Sequence, residues 1–411
     1  MKKGYLSQYF YGVAAKRLSR VETDNLASHQ HEFNGVKELK NLFGEPQGKS
    51  IYATKFIYLS DFDDEPITEE GTLTWYDARQ KARIERNVNR SEYRMYFKTT
   101  LVSQTWNTGD ILIIAKRPDD TLLAIVAEAE TTIAQQILWL FGFSNLNHPG
   151  FSVREELETE QDRIEFASRF ILESIGIVVK ESEESLLNGM LKRFNGKLPD
   201  TKTFSAYARS TIPDVTVHDE ADAALMAWME REEILFRTLE KHIIGERLSQ
   251  GFDKDIDGFV SFALSVLNRR KSRVGLALEN HLEILFQESG IKYSRNPVTE
   301  NKSKPDFIFP GENEYRNMSF SELNLTMLGV KSSCKDRWRQ VLSEAERIEK
   351  KHLLTLEAAI SKNQTDEMKS KNLQLVLPMK LHQSYLPEQQ SWLMSITEFT
   401  KYVLEKQRRI L

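Results

Sequence analysis

Three residues in the last third of the sequence have the chemical types that cut phosphodiesters. They are Asp306 in "KPDFIF", Lys331 closing "LTMLGVK", and Glu344, thirteen residues beyond that lysine. Two carboxylates can hold a divalent cation such as Mg2+, which activates water and offsets the charge that builds on a phosphorane. A lysine beside them stabilises that charge or orients the attacking water. Taken singly, each residue has a plainer reading, since an aspartate after proline and a lysine at a strand end are commonplace on protein surfaces. The usual nuclease spelling also puts an acidic residue two places before the lysine, and here that place holds Gly329. Glu344 is the candidate for the displaced carboxylate.

The elements that must position these groups follow from apolar periodicity. Asp306 enters a predicted strand (304–310) and Lys331 ends another (325–333). An amphipathic helix is predicted behind it, with Trp338, Val341, Leu342, Ala345 and Ile348 on its apolar face. Arg337, Gln340 and Glu344 share a different stripe at three- and four-residue steps. A strand over 373–378 and a terminal helix over 396–408 complete the pattern, and 203–290 reads as almost wholly helical, its last helix (274–290) ended by Gly290. Helices followed by strands alternating with helices predict an α/β domain with a mixed sheet, within an α+β multidomain chain. Residues 1–143 read as β-rich, with strands over 49–60, 110–117 and 122–130 and a Thr-capped helix over 131–141. The segment 151–195 reads as an amphipathic helical connector. The predicted domains are 1–145, a connector 146–195, and 196–411.

Length and composition agree with this division. A chain of 411 residues, 40% hydrophobic and 28% charged, describes two or three soluble globular domains. The single cysteine, Cys334, excludes internal disulfides and thiolate zinc sites and predicts a reducing cytoplasm. Its expected role is a packed small side chain. No apolar run approaches the roughly 20 residues needed to span a bilayer, and the N-terminus lacks the apolar core of a signal peptide. A net charge of −4 argues against a uniformly basic nucleic-acid binder, yet the charge is unevenly placed. Residues 79–98 set Arg79, Lys81, Arg83, Arg86, Arg90, Arg94 and Lys98 against Glu85 and Glu92. Such a run suits phosphate contact, with Asn87, Asn89, Tyr93 and Tyr96 interleaved to read base edges or pack on sugars. In "NRRKSR" (268–273), expected just before a helix, Arg269, Arg270, Lys271 and Arg273 are further DNA-reading candidates. "HQH" (29–31) lacks a third ligand and reads as structural or DNA-contacting rather than as a metal site.

The segments "KPDFIFPGENEY", "LGVKSSCKDRWRQVLSEAERI" and "RRKSRVGLALENHLEILF" together resemble the catalytic domain of the EcoRII family of type II restriction endonucleases, over roughly residues 196–411. The resemblance implies a restriction-endonuclease-like PD-(D/E)XK fold with Asp306, Lys331 and Glu344 as its catalytic core and Mg2+ held by Asp306 and Glu344. It also implies Lys335 as a supporting cation, Glu279 as an upstream acidic residue and Tyr315 as an active-site tyrosine. Arg337, Arg339 and Gln340 join 268–273 as expected DNA contacts. Residues 16–44 and 74–94 are similar to that family's effector domain, a DNA-binding pseudobarrel. This adds Lys16, Arg17, His29, Gln30 and Asn34 to the expected contacts. The function implied is Mg2+-dependent double-strand cleavage at a short C/G-rich, CCWGG-like site in double-stranded DNA. The C-terminal domain would form a homodimer, the N-terminal domain would bind an additional site and regulate cleavage, and a DNA methyltransferase would be the genetic partner. Two rival expectations remain: a DNA-binding regulator or modification sensor with an inactive nuclease domain, and a repair or RNA nuclease of the same fold.

Overall fold

The computed structural model describes the chain except for residues 1, 3, 24–30, 35–36, 47, 63–64, 87–89, 145, 147–149, 180–183, 218–219, 335–336 and 410–411. The chain divides into two compact units, Met1–Val178 with Ala358–Ser361, and Val179–Glu357 with Lys362–Leu411.

The first unit is built on an eight-stranded sheet. Its strands are β1 (Gly12–Arg17), β2 (Glu32–Asn34), β3 (Lys49–Leu59), β4 (Ile67–Asp77), β5 (Tyr93–Phe97), β6 (Ile111–Lys116), β7 (Leu122–Ala127) and β8 (Ser152–Arg154), in the order β2-β5-β4-β3-β7-β6-β1-β8. Neighbours run antiparallel except β3 and β7, which are parallel. The unbroken apolar runs of β6 and β7 are buried on both faces, as a central strand's must be. Alternate residues Leu112, Ile114, Leu122, Ala124 and Val126 pack with Phe33, Phe56, Trp75 and Phe97 in one core. The helix Thr132–Leu140 packs against β7. Its N-terminus is capped by Thr131, which accepts from the Ala134 amide at 3.2 Å, and by Asp61, which accepts from the Thr132 and Ile133 amides at 2.7 and 3.0 Å.

The stretch 151–195 is not one amphipathic helix. β8 extends the sheet edge by pairing with β1, and the helices Phe166–Ser174 and Glu184–Phe194 follow separately. Val153 packs on the sheet core, and Gly176, at φ +78, breaks the chain after the first helix.

In the second unit three helices, Thr201–Ser210, Ala221–Gln250 and Ile256–Glu288, pack on one another. Behind them lies a five-stranded mixed sheet in the order β13-β12-β11-β10-β9. Its strands are β9 (Ser294–Arg295), β10 (Phe307–Phe309), β11 (Thr326–Val330), β12 (Lys351–Leu354) and β13 (Leu373–Val376). β10 is antiparallel to both neighbours, and β11, β12 and β13 are parallel. The basic segment 268–273 lies inside the 33-residue helix Ile256–Glu288, not before a helix. Arginine and lysine are good helix formers and no proline interrupts the run, so the helix passes straight through it.

Two differences concern the region around Lys331. The helix behind it spans only Trp338–Leu342, and Glu344 lies just beyond its C-cap, Ser343, with Ala345 at φ +51 breaking the spacing. The "KHLL" run forms the buried strand β12, which alternation did not reveal because every one of its residues is buried. Among the described residues, no helix is long and apolar enough to cross a membrane.

Candidate active site

Asp306 precedes β10, and Lys331 follows β11. The antiparallel register of the two strands, Phe307 opposite Leu328, brings residues 25 positions apart into contact. The Asp306 Oδ2 accepts from the Val330 amide at 2.6 Å and from the Lys331 Nζ at 3.1 Å. Lys331 is fixed in turn by its own amide, which donates to the Leu354 carbonyl of β12 at 3.0 Å. The carboxylate is buried and the lysine half-buried, so the pair is held at the sheet end rather than solvated.

Gly329 has a steric reason. A Cβ there would stand 2.8 and 3.0 Å from the two Cγ atoms of Val341. The helix Trp338–Leu342 packs directly over the strand backbone, with Trp338 and Val341 fully buried. The place where an acidic side chain would sit is thus filled by valine, and the same helix delivers Glu344 two residues past its end. Glu344 is half-buried, and its Oε2 is buried with no hydrogen-bond partner among the described residues. Burial pushes its carboxyl up to about 7, with the Asp306 charge adding to the effect and Lys331 and Lys351 opposing it.

A carboxylate whose charge is disfavoured by burial and by Asp306, with one buried oxygen unsatisfied, fits a divalent cation. The cation would favour the ionised form of Glu344 and occupy the free oxygen. No group of three or more His, Cys, Asp or Glu among the described residues forms a metal cluster. Asp306 and Glu344 are the candidate donors, a set that would suit an ion keeping several of its waters.

Glu279 faces the same centre from the long helix. Phe286, two turns further along the same face, packs edge-on against Phe307 and Phe309 of β10, with centroids 5.2 and 5.1 Å away. Burial raises the Glu279 carboxyl, and the Asp306 charge raises it further, against the pull of Arg295 and Lys331. The Arg295 guanidinium donates to Glu279 at 2.9 Å, to Glu283 at 3.0 Å and to the Asn280 side-chain oxygen at 2.9 Å. Sequence reading missed this arginine, because β9 is only two residues long.

Tyr315 is buried, and its hydroxyl donates to Glu300 at 2.5 Å rather than to Asp306, Lys331 or Glu344. Burial and that carboxylate raise its pKa. Lys335 lies outside the described residues. Cys334 is fully buried, and burial holds its thiol well above the ordinary range.

The DNA-contact candidates divide sharply. Arg269 and Lys271 are exposed, whereas Arg270 donates to Glu240 at 2.8 Å. Arg273 is buried, paired with Glu232 at 2.7 Å and with Glu233, and stacked 3.8 Å over the Phe236 ring. The expectation that Arg273 meets DNA is corrected: its guanidinium is engaged inside the helical bundle. Arg337, Arg339 and Gln340 are exposed, with Arg339 paired to Glu367 at 2.7 Å.

In the first unit Lys16 is buried against Glu22, which corrects its assignment as a contact. Arg17 is exposed and donates to the Gly109 carbonyl at 3.2 Å, and Asn34 is exposed on β2. His29 and Gln30 lie outside the described residues. In the arginine-rich run, Arg79 pairs with Glu92 at 2.7 Å, Arg83 with Asp77 at 2.9 Å, and Arg94 with Glu32 at 2.6 Å and with Glu92. Lys81 lies 3.8 Å from Glu85, and Arg86 and Arg90 are exposed.

Comparison with known proteins follows the same geography. A family model described as EcoRII C terminal matches residues 236–400. The type II restriction enzyme EcoRII of Escherichia coli is 40% identical over 181 residues, which are 44% of this chain and 45% of that enzyme. The match thus spans less than half the length of this curated relative. Among solved structures, metal-depleted Ecl18kI in complex with uncleaved, modified DNA aligns with a TM-score of 0.45 at 19% identity, over 55% of this chain and 84% of that one. A PspGI–substrate DNA complex aligns with a TM-score of 0.44 at 15% identity, over 52% of this chain and 94% of that one. Over residues 236–400 the chain is therefore similar to the C-terminal part of EcoRII, a type II restriction enzyme.

Proposed function

We propose that this chain is a type II restriction endonuclease that cuts both strands of double-stranded DNA at a short, specific site with Mg2+ as its cation. The observation that carries the reading is the arrangement of Asp306, Lys331 and Glu344, with Gly329 closed off by Val341. Asp306 and Glu344 would hold the metal, which when bound supplies a Lewis acid for the phosphate and lowers the pKa of water. Lys331, already set on Asp306, presents a fixed ammonium to the charge that develops on the phosphate. Glu279, held by Arg295, contributes a third carboxylate from the other wall and assists in holding the cation or its water.

The finer reading assigns catalysis to residues 196–411, which act as a homodimer so that each copy cuts one strand of a near-palindromic, CCWGG-like site. Exposed Arg269, Lys271, Arg337 and Gln340 contribute to its recognition. Residues 1–145 form an effector domain of the pseudobarrel kind, joined through 146–195, which binds an additional site copy and restrains cleavage. A DNA methyltransferase protects the host's own sites.

The test is incubation with unmethylated bacteriophage DNA with and without Mg2+, followed by sequencing of fragment ends, with Asp306→Ala in parallel. Discrete Mg2+-dependent fragments sharing an end motif, lost in the variant, support the reading. A random smear points to a nonspecific nuclease. A mobility shift without cleavage points to a DNA-binding regulator.

A further inference from the structure

Lys351 opens β12 with its side chain almost wholly buried. An ammonium in such a place costs stability unless its hydrogens are bonded, and an aliphatic residue would fill the same slot without that cost. Its Nζ donates to the carbonyls of Ile348, at 2.7 Å, and Ala345, at 3.4 Å. Both carbonyls belong to the turn that follows Glu344, where Ala345 takes the left-handed conformation that a residue with a Cβ rarely adopts.

The far side of that turn is strapped as well. The Arg347 guanidinium donates to the carbonyls of Tyr315, Asn317 and Phe320, the last at 3.0 Å. The Glu346 amide donates to Glu300 at 3.3 Å, the carboxylate that also receives the Tyr315 hydroxyl. Burial lowers the Lys351 pKa, and the nearby charges of Glu300, Glu344 and Glu346 favour its ammonium form against that. Lys331 is committed to Asp306 at 3.1 Å. That leaves Lys351 as a second fixed cation behind the metal-facing pair.

We propose that Lys351 is a positioning residue for Glu344. By tying the Ala345 and Ile348 carbonyls from beneath, it holds the turn at the angle that turns the Glu344 carboxylate toward Asp306, and its charge offsets the repulsion between the two. The inference rests on the nuclease reading, in which Glu344 faces a metal ion. Lys351 touches neither substrate nor metal. Its loss therefore weakens the site's hold on the cation more than it slows the step at saturating cation.

The experiment uses the full chain with Lys351→Met, Lys351→Gln and Lys351→Arg. Three quantities are read: the Mg2+ concentration for half-maximal cleavage, the maximal rate, and the affinity for Ca2+ by calorimetry on the protein–DNA complex. The expected result is a rise in half-saturating Mg2+ of about 10- to 100-fold in Lys351→Met, in the range seen when an outer-shell partner of a metal ligand is lost. Ca2+ affinity should weaken in parallel, the rate at saturating Mg2+ should largely survive, and the arginine variant should recover part of the loss. A folded Lys351→Met with wild-type metal affinity overturns the proposal. If that variant does not fold, wild-type metal affinity in Lys351→Gln overturns it equally. A wild-type protein that neither cleaves nor binds Ca2+ removes the nuclease reading beneath, an outcome distinct from a wild type that binds metal alongside variants that bind it equally well.

Discussion

The Val341 side chain occupies the space that any side chain at position 329 would need, standing 2.8 Å from where the Cβ would lie. Strand and helix are therefore locked together at the point where nucleases usually place a carboxylate. Restoring that carboxylate by Gly329→Asp should not rescue a Glu344→Ala variant. Overpacking should instead cost about 1–3 kcal/mol, seen as a lowered melting temperature. A Gly329→Ala, Val341→Ala pair should recover part of the loss from Gly329→Ala alone, and additive losses in the double variant would refute the contact.

Lys331→Met should lower the cleavage rate by about 10²- to 10³-fold, as expected on removing one fixed charge from a developing anion. Asp306→Ala should abolish cutting while leaving the mobility shift. Full activity in either variant, measured in single-turnover cleavage, would sink the active-site assignment.

The Glu344 carboxyl, pushed up to about 7, makes two pH predictions. Ionised Glu344 is the form that takes a cation, so below about pH 7 the Mg2+ needed for half-maximal cleavage should climb by about tenfold per pH unit. In the metal-free protein the native state holds this proton more tightly than the unfolded state does. Its contribution to stability is therefore most favourable at low pH and declines as pH rises from about 4.5 through about 7. Glu344→Gln should remove that decline and stabilise the metal-free protein at pH 8 by about 1–3 kcal/mol. Denaturant titrations at pH 5 and 8 with chelator check the sign.

Arg273 and Arg269 are four residues apart on one helix and should behave differently. Arg273→Ala removes one partner from each of the buried carboxylates Glu232 and Glu233, leaving them His281 and Arg237, and should cost up to about 3–5 kcal/mol, with no selective change in the DNA site cut. Arg269→Ala should leave the melting temperature alone, weaken DNA binding, and lower the log–log salt slope by about 1. Melting curves and salt-dependent binding isotherms separate the two.

Much of this protein is written locally. The helix Ile396–Arg408, the Thr131 cap, and the strands over 49–59 and 111–116 follow from periodicity and capping within a few residues. The residue types at 306, 331 and 344 restrict the chemistry before any coordinates exist. Tertiary structure decided what depends on distant partners. Arg273 reads as a free cation in a basic run until Glu232, 41 positions earlier, is placed against it, and Lys16 until Glu22 folds back onto it. The turn that follows Leu342 is held by distant groups: Lys351 of β12 donates to its Ile348 carbonyl, and its Arg347 donates to the Phe320 carbonyl. Burial and ion pairing depend on who the neighbours are. A sequence pattern names the neighbours along one face of a helix or strand, whereas packing chooses the rest.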